Sequence, residues 1–262
     1  MLGKGSRGRG LGDLVKRNKR MKKVIGLCAW LVLFAACQRQ DGNRAAIEGE
    51  FSDCAGVKII LQEMDTRSIR TVDSIVLDNT GKISFSPVIR ELGFWLLKAP
   101  SGKILVMLLN AGDQVALKGS LRDFPDNIML KGPQDAMLLN GFFHATRQNE
   151  RMVDSLEALL IDRQDSAGYF ELTQKIDHSF RQIWERQRSL ETDFLDKNPG
   201  SLGSLVVLNF AFGMSPVLSP EKDLAYYRQM DSALSIKLPG NKHVMFHHKR
   251  VMEFERQMKL RK

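Results

Sequence analysis

The feature that most constrains the fold is a change in hydrophobic periodicity at Lys131-Gly132-Pro133. Before it, short apolar runs are separated by turn signals such as Asp78-Asn79-Thr80-Gly81, and Ile83 and Phe85 show the alternation of a strand. After it, apolar residues recur every three or four positions. A period of two is typical of half-buried strands, and a period near 3.6 is typical of amphipathic helices. The sequence therefore predicts a segregated α+β chain, with strands first and helices after them.

The first region, residues 45–131, is predicted to be a β domain. Its strands are short and end in turn residues, which favours an antiparallel β-sandwich or a partly open barrel. The predicted strands are 47–51, 57–62, 72–77, 82–86, 94–98, 104–109, 114–118 and 127–130.

The second region, residues 132–262, is predicted to be an α-helical bundle. Its first helical pattern includes Leu139 to Leu160, although Gly141 could cap or kink it. Ser219-Pro220-Glu221 predicts a helix start, with the serine hydroxyl as N-cap and proline at the first helical position. The other predicted helices run from about Tyr169 to Lys197, from Leu202 to Phe212 and from about Lys242 to Leu260.

An N-terminal targeting segment precedes both regions. The run Val24–Ala36 holds 13 uncharged residues, fewer than the roughly 20 that a membrane-spanning helix needs. It follows the basic stretch Met21-Lys22-Lys23, as in a signal peptide. We therefore expect residues 21–36 to be a signal peptide and residues 1–20, rich in Gly, Lys and Arg, to be an over-extension of the reading frame.

The end of this run resembles the recognition pattern of lipoprotein signal peptidase. The matching residues are Leu33, Ala35, Ala36 and Cys37. Phe34 departs from the pattern, which most often has Leu there. The resemblance implies cleavage between Ala36 and Cys37 and lipidation of the Cys37 thiol, and several acyl chains together give stable membrane anchoring. The alternative is an uncleaved helix with a buried cysteine.

The positive charge of the chain is concentrated at its N-terminus. The full sequence has a formal net charge of +9, from 39 Lys and Arg against 30 Asp and Glu. Residues 1–23 contain nine of these basic residues and one acid, so 30 basic and 29 acidic residues remain, a net charge of +1. A near-neutral mature chain argues against nucleic acid as a partner. The expected partners are the membrane, through a lipidated tether at 37–44, and a protein partner or a second copy of the chain.

Candidate chemical sites are few. Cys54 lies in a turn signal, and the sequence has no C-x-x-C motif, so no redox pair or thiolate zinc site is expected. His243 and His247 are one helical turn apart, but a zinc site needs three or four ligands, and a core histidine is the ordinary alternative for His247. No phosphate-binding loop, nucleophile elbow or dinucleotide fingerprint occurs. The sequence therefore predicts no catalytic residue, no metal and no cofactor.

Four short segments carry a family resemblance. They are Ile47-Glu48-Gly49, Thr80 to Phe85, Ala111 to Val115 and Phe194 to Leu202. Their order after a lipoprotein signal resembles the N-terminal half of envelope thiol-disulfide oxidoreductases of Gram-negative bacteria, over about Ala45 to Lys259. In that family a thioredoxin-like domain with a Trp-Cys-x-x-Cys site follows, and this sequence ends at Lys262, where that domain would begin. The resemblance implies placement at the membrane, partner contact or dimerisation, and no redox site in these residues.

The sequence supports two main functional hypotheses and a weaker third one. The first is a lipid-anchored, periplasm-facing envelope protein of non-catalytic type that binds a partner or ligand through the β domain, the helical domain or the cleft between them. The second is the front half of a thiol-disulfide oxidoreductase whose catalytic half is encoded downstream. The third is a metal-binding module that uses His243 and His247.

Overall fold

The computed structural model describes residues 42–164 and 168–260. The predicted signal peptide and lipidation site, Ala36 and Cys37 included, lie outside the described residues. From Gly42 onwards the chain forms one compact unit.

The described residues contain eight strands between Ala46 and Lys131, one for each predicted strand. They are β1 (Ala46–Ser52), β2 (Lys58–Met64), β3 (Ile69–Val76), β4 (Lys82–Phe85), β5 (Gly93–Lys98), β6 (Ile104–Leu109), β7 (Gln114–Ser120) and β8 (Met129–Lys131). The turn into β4 requires glycine, because Gly81 has a φ of 65° and a Cβ atom there would overlap the carbonyl of Phe51.

The strands form two four-stranded sheets, with the orders β4-β1-β7-β8 and β3-β2-β5-β6. The segregated α+β class is confirmed, and the described strands form open sheets, not a closed barrel. Most neighbours are antiparallel, but β1 and β7 run parallel, from Ala46 opposite Gln114 to Ser52 opposite Ser120. The expectation of a purely antiparallel sandwich is therefore wrong for this pair. No hairpin turn joins the two strands, so local sequence does not set their direction.

A hydrophobic core lies on the inward faces of the strands. Leu61, Leu97 and Leu105 occupy one row across β2, β5 and β6, and each is at most 2% exposed. The loop between β7 and β8 closes the core by inserting Phe124 and Ile128. Apolar side chains in register on one face explain why these short strands form a stable sheet.

Five helices and a small hairpin follow. They are α1 (Gln134–Arg163), α2 (Tyr169–Lys197), α3 (Ser204–Leu208), β9 (Ala211–Phe212), β10 (Ser215–Pro216), α4 (Pro220–Lys237) and α5 (Lys242–Leu260). The α1 helix continues through Gly141 without a break. None of the described helices is both long enough and apolar enough to cross a membrane.

The predicted helix from Leu202 to Phe212 is wrong in its length, because α3 ends at Leu208. The side-chain amide of Asn209 donates a hydrogen bond to the carbonyl of Leu205 at 2.7 Å, which satisfies a group at the helix end. Gly213, with a φ of 58°, then makes the turn between β9 and β10. An apolar run alone does not distinguish a long helix from a short helix followed by a buried hairpin.

The helix start at Ser219 is confirmed, but its capping bond differs from the prediction. The serine hydroxyl makes no capping hydrogen bond. Instead the backbone N–H of Ser219 donates to Oδ2 of Asp223 at 2.9 Å. Asp223 also binds Arg188 of α2 through two hydrogen bonds, so this carboxylate connects α4 to α2.

The helices pack on the second sheet, and one core extends through both regions. Residues 93–97 of β5 are buried on both faces of the strand, and Phe94 meets the His243 ring of α5 edge-on at 4.9 Å. The continuous core includes Leu108 of β6, Leu139 of α1 and Leu205 of α3. The strand region and the helical region are therefore joined by apolar packing as well as by the chain.

Candidate functional site

A cleft lies between β6 and α1, where the strand and helical regions meet. Its volume is about 470 Å³. One wall is Lys103 and the start of β6, from Ile104 to Val106, and the other is the face of α1 from Phe143 to Glu157. Pro125 and Asp126 of the β7–β8 loop and the β9–β10 turn close its ends. The cleft is thus assembled from four separate parts of the chain.

A buried ion pair fixes one side of the cleft. The Arg147 side chain is only 8% exposed, and its Nε lies 3.1 Å from Oδ1 of Asp126. The same guanidinium donates to the Asp126 carbonyl at 2.8 Å, and Arg151 reaches Oδ2 at 3.5 Å. Burial lowers the pKa of Arg147, and the Asp126 charge opposes this shift. These contacts hold the β7–β8 loop against α1.

Three carboxylates on the α1 wall form no salt bridge within the described residues. Glu150, Asp154 and Glu157 follow a spacing of four and three, so they lie on one face of the helix. Burial raises the pKa of Glu150, although the charge of Arg147 acts in the opposite direction. A cation placed beside Glu150 would offset the cost of burying its carboxylate.

The remaining lining of the cleft is largely apolar. Ile104 and Val106 come from β6, Phe143 and Val153 from α1, and Phe212 from β9. Apolar walls with a few fixed charges are the usual chemistry of a binding site. No cysteine, serine or histidine is among the described residues that line it. The arrangement suits binding of a partner with both apolar and positively charged groups.

His243 and His247 lie on the buried side of α5 and have different neighbours. His243 packs against Phe94, its Nε2 has no hydrogen-bond partner among the described residues, and burial lowers its pKa to about 4. Nε2 of His247 lies 3.1 Å from the carbonyl oxygen of Tyr227, so this nitrogen carries the proton and donates. Burial also lowers the pKa of His247. Both side chains pack as neutral core residues.

No third ligand joins these histidines in the part of the chain that the structure describes. Within residues 42–164 and 168–260, no group of three or more His, Cys, Asp or Glu side chains is arranged to hold a metal ion. Cys54 is likewise buried in its turn, where its thiol donates to the carbonyl of Phe51 at 3.1 Å. The residues singled out from the sequence therefore do not converge on one site.

A buried polar network between α1 and α2 was not predicted. Gln187 accepts from the Asn149 amide at 3.0 Å and donates to Thr146 at 3.2 Å and to Oε1 of Glu191 at 3.1 Å. Glu191 is fully buried, and its Oε2 has no hydrogen-bond partner among the described residues. Burial raises the pKa of Glu191 to about 8. The four-residue spacing from Ile183 through Gln187 and Glu191 is a sequence signal that could have placed these polar groups in the core.

Comparison with known protein families finds no family model that matches the chain, and comparison with curated proteins finds no matching sequence.

Proposed function

We propose that this chain is a lipid-anchored cell-envelope protein of non-catalytic type that binds a protein partner in the cleft between β6 and α1. The observation that carries the proposal is the composition of that cleft. The Asp126–Arg147 pair holds the β7–β8 loop at one end of the cleft against the α1 wall, while Glu150, Asp154 and Glu157 form no salt bridge among the described residues. A cleft that combines apolar walls with carboxylates free of salt bridges among the described residues is suited to recognition.

The position of the cleft relative to Gly42 supports the same proposal. Gly42 precedes Arg44, whose carbonyl accepts from the N–H of Gly112 in the turn after β6. The cleft instead lies at the start of β6, about 17 Å away along a strand of this length. A partner in the cleft would therefore not meet the point where an N-terminal tether joins the folded region.

Photo-crosslinking in the producing cell tests the binding site. A photoreactive amino acid at Val106, inside the cleft, is expected to give one discrete adduct with a protein that mass spectrometry identifies. The matched control is Ile236 of α4, which is 83% exposed and does not line the cleft. Equal adducts from both positions, or none from Val106, would contradict the proposal.

The lipid anchor has its own test. Mass spectrometry of the mature protein is expected to find an N-terminal Cys37 that carries acyl chains. Replacing this residue, Cys37→Ser, is expected to release the protein from the membrane fraction. An unmodified Cys37 within a continuous chain that begins at or before Met21 would contradict the anchor.

A second candidate rests on the four segments in the order of the oxidoreductase family, from Ile47-Glu48-Gly49 to Phe194–Leu202. In this case the cleft would face a thioredoxin-like domain encoded downstream. Sequencing of the DNA after codon 262 tests it. A frame with a Trp-Cys-x-x-Cys motif supports this candidate, and a stop codon followed by an unrelated gene excludes it.

A further inference from the structure

We propose that the partner enters the cleft as an extended, positively charged segment that pairs with the free edge of β6. This inference rests on the proposed function, because it specifies what the cleft binds. It depends on three observations: the unpaired edge of β6, the carboxylates of α1 that face that edge, and the apolar side chains between them.

The edge of β6 is accessible at Ile104 and Val106, whereas Leu108 further along the strand is only 1% exposed. In the order β3-β2-β5-β6, this strand is the last of its sheet and pairs only with β5. No other described backbone group makes a hydrogen bond to residues 104–108. An edge strand presents a row of backbone N–H and C=O groups that an extended peptide can pair with.

The side chains along this edge define two environments for such a peptide. Leu105 and Met107 point into the core between the sheets and are at most 2% exposed. Ile104 and Val106 lie on the opposite face, which the helices cover less completely, and Ile104 is 37% exposed. Because successive side chains of a strand point to opposite faces, an added strand would place every second residue against this apolar surface.

Charge determines the chemistry of the partner. Arg147 and Arg151 both contact Asp126, and Glu150, Asp154 and Glu157 form no salt bridge among the described residues. Counted over the whole lining, four carboxylates stand against three cations, Lys103 included, a formal net charge of −1. Complementary charges orient a partner and increase its association rate.

The opposite edge of the same sheet lacks this arrangement. β3 is the other terminal strand and has exposed apolar residues, Ile69 and Val76. Its acidic neighbour Glu63 is bound by Arg70 at 2.7 Å and by Lys242 at 3.2 Å. At β3, Glu63 and Asp73 line a groove together with Arg44, Arg70 and Arg90, so cations outnumber carboxylates there, whereas the reverse holds beside β6.

Synthetic heptapeptides test the inference on the mature lipidated protein in non-ionic detergent. The probe is Lys-Val-Lys-Val-Lys-Val-Lys, blocked at both ends and labelled for fluorescence anisotropy. We expect saturable binding that weakens as salt increases. A peptide with glutamate in place of lysine should not bind. A peptide with proline in place of the central valine should bind at least tenfold more weakly, because proline cannot donate to a strand.

A charge variant of the cleft tests the location. The combined change Glu150→Gln, Asp154→Asn and Glu157→Gln should raise the Kd of the lysine peptide about tenfold, which corresponds to about 1.4 kcal/mol for the three charges together. The matched control is Glu171→Gln, Asp177→Asn and Glu185→Gln, three exposed acids of α2. It removes the same charge and should change Kd less than twofold.

The outcomes separate this inference from the proposed function. Equal effects of the two charge variants, tight binding of the proline peptide, or no binding of the lysine peptide would overturn the inference. If the Val106 crosslink to an identified partner still forms in any of these cases, the cleft binds a partner in another way. If that crosslink also fails, the proposed function fails with it.

Discussion

At the scale of single residues, the burial of the Glu191 carboxyl has the clearest electrostatic consequence. Its carboxyl is fully buried, with a pKa of about 8 against an ordinary value of 4.5. Arg188 favours the ionised form, while burial and Asp223 oppose it. Below neutral pH the native side chain is therefore protonated, and its hydrogen bond from Gln187 does not require a charge.

This raised pKa makes the stability of the fold depend on pH. The stabilising effect of the native protonated form is complete below pH 4.5 and is lost as the pH rises through about 8, because the unfolded chain releases the proton first. We predict that Glu191→Gln raises the free energy of unfolding at pH 8.5 by on the order of 2 kcal/mol and has little effect at pH 4. Urea unfolding at several pH values measures this difference.

Glu185→Gln is the matched control, because Glu185 is exposed on the same helix. It should leave the dependence of stability on pH unchanged. If the free energy of unfolding of Glu191→Gln changes with pH in parallel with that of the unmodified protein, Glu191 is not the group that makes stability depend on pH.

The hydrogen-bond network around Gln187 could not be predicted in detail, because the sequence does not show which α1 side chains, here Thr146 and Asn149, meet α2.

At the scale of elements, the β7–β8 loop and α1 depend on one another through Asp126. Removing one member of a buried ion pair leaves an uncompensated charge, which costs up to about 3–5 kcal/mol when the pair is fully buried. Asp126 is partly exposed, at 27% of its side chain, so a smaller cost applies. We predict that Asp126→Asn lowers the free energy of unfolding by about 2 kcal/mol.

The control for this loop is Asp123→Asn. Asp123 is exposed in the same loop, and among the described residues its side chain accepts only from the amide of Asn127, at 3.1 Å. Its replacement should change stability by less than about 0.5 kcal/mol. Similar losses for the two variants, measured by urea unfolding, would mean that the Arg147–Asp126 pair does not hold the loop on α1.

Local patterns predicted the elements better than their ends. Alternation of Ile83 and Phe85 correctly indicated β4, and the Asn198-Pro199-Gly200 sequence correctly marked the end of α2. The run from Leu202 to Phe212 failed because burial, and not helical conformation, is what makes it uniformly apolar. Periodicity is informative only where one face of an element meets solvent.

At the scale of the whole molecule, the order of strands and helices was predictable and the cleft was not. The apolar stretch Phe94–Leu97 in β5 is consistent with a strand covered on both faces, here by the other sheet and by helices. The cleft combines residues from Lys103 to Glu157 with the turn after Phe212. Its geometry depends on how α1 packs beside β6, which no local pattern specifies.

The proposed membrane anchor and the proposed binding cleft have complementary roles. Cys37 would hold the folded region at the membrane, and the cleft at the start of β6 would remain open to a partner. The most direct measurement of the central claim is residue-resolved hydrogen exchange of the mature protein, with and without a saturating concentration of the lysine heptapeptide. The account predicts slower exchange at the amides of Ile104 and Val106 and no change in β3. Slower exchange in β3 with no change in β6 would contradict it.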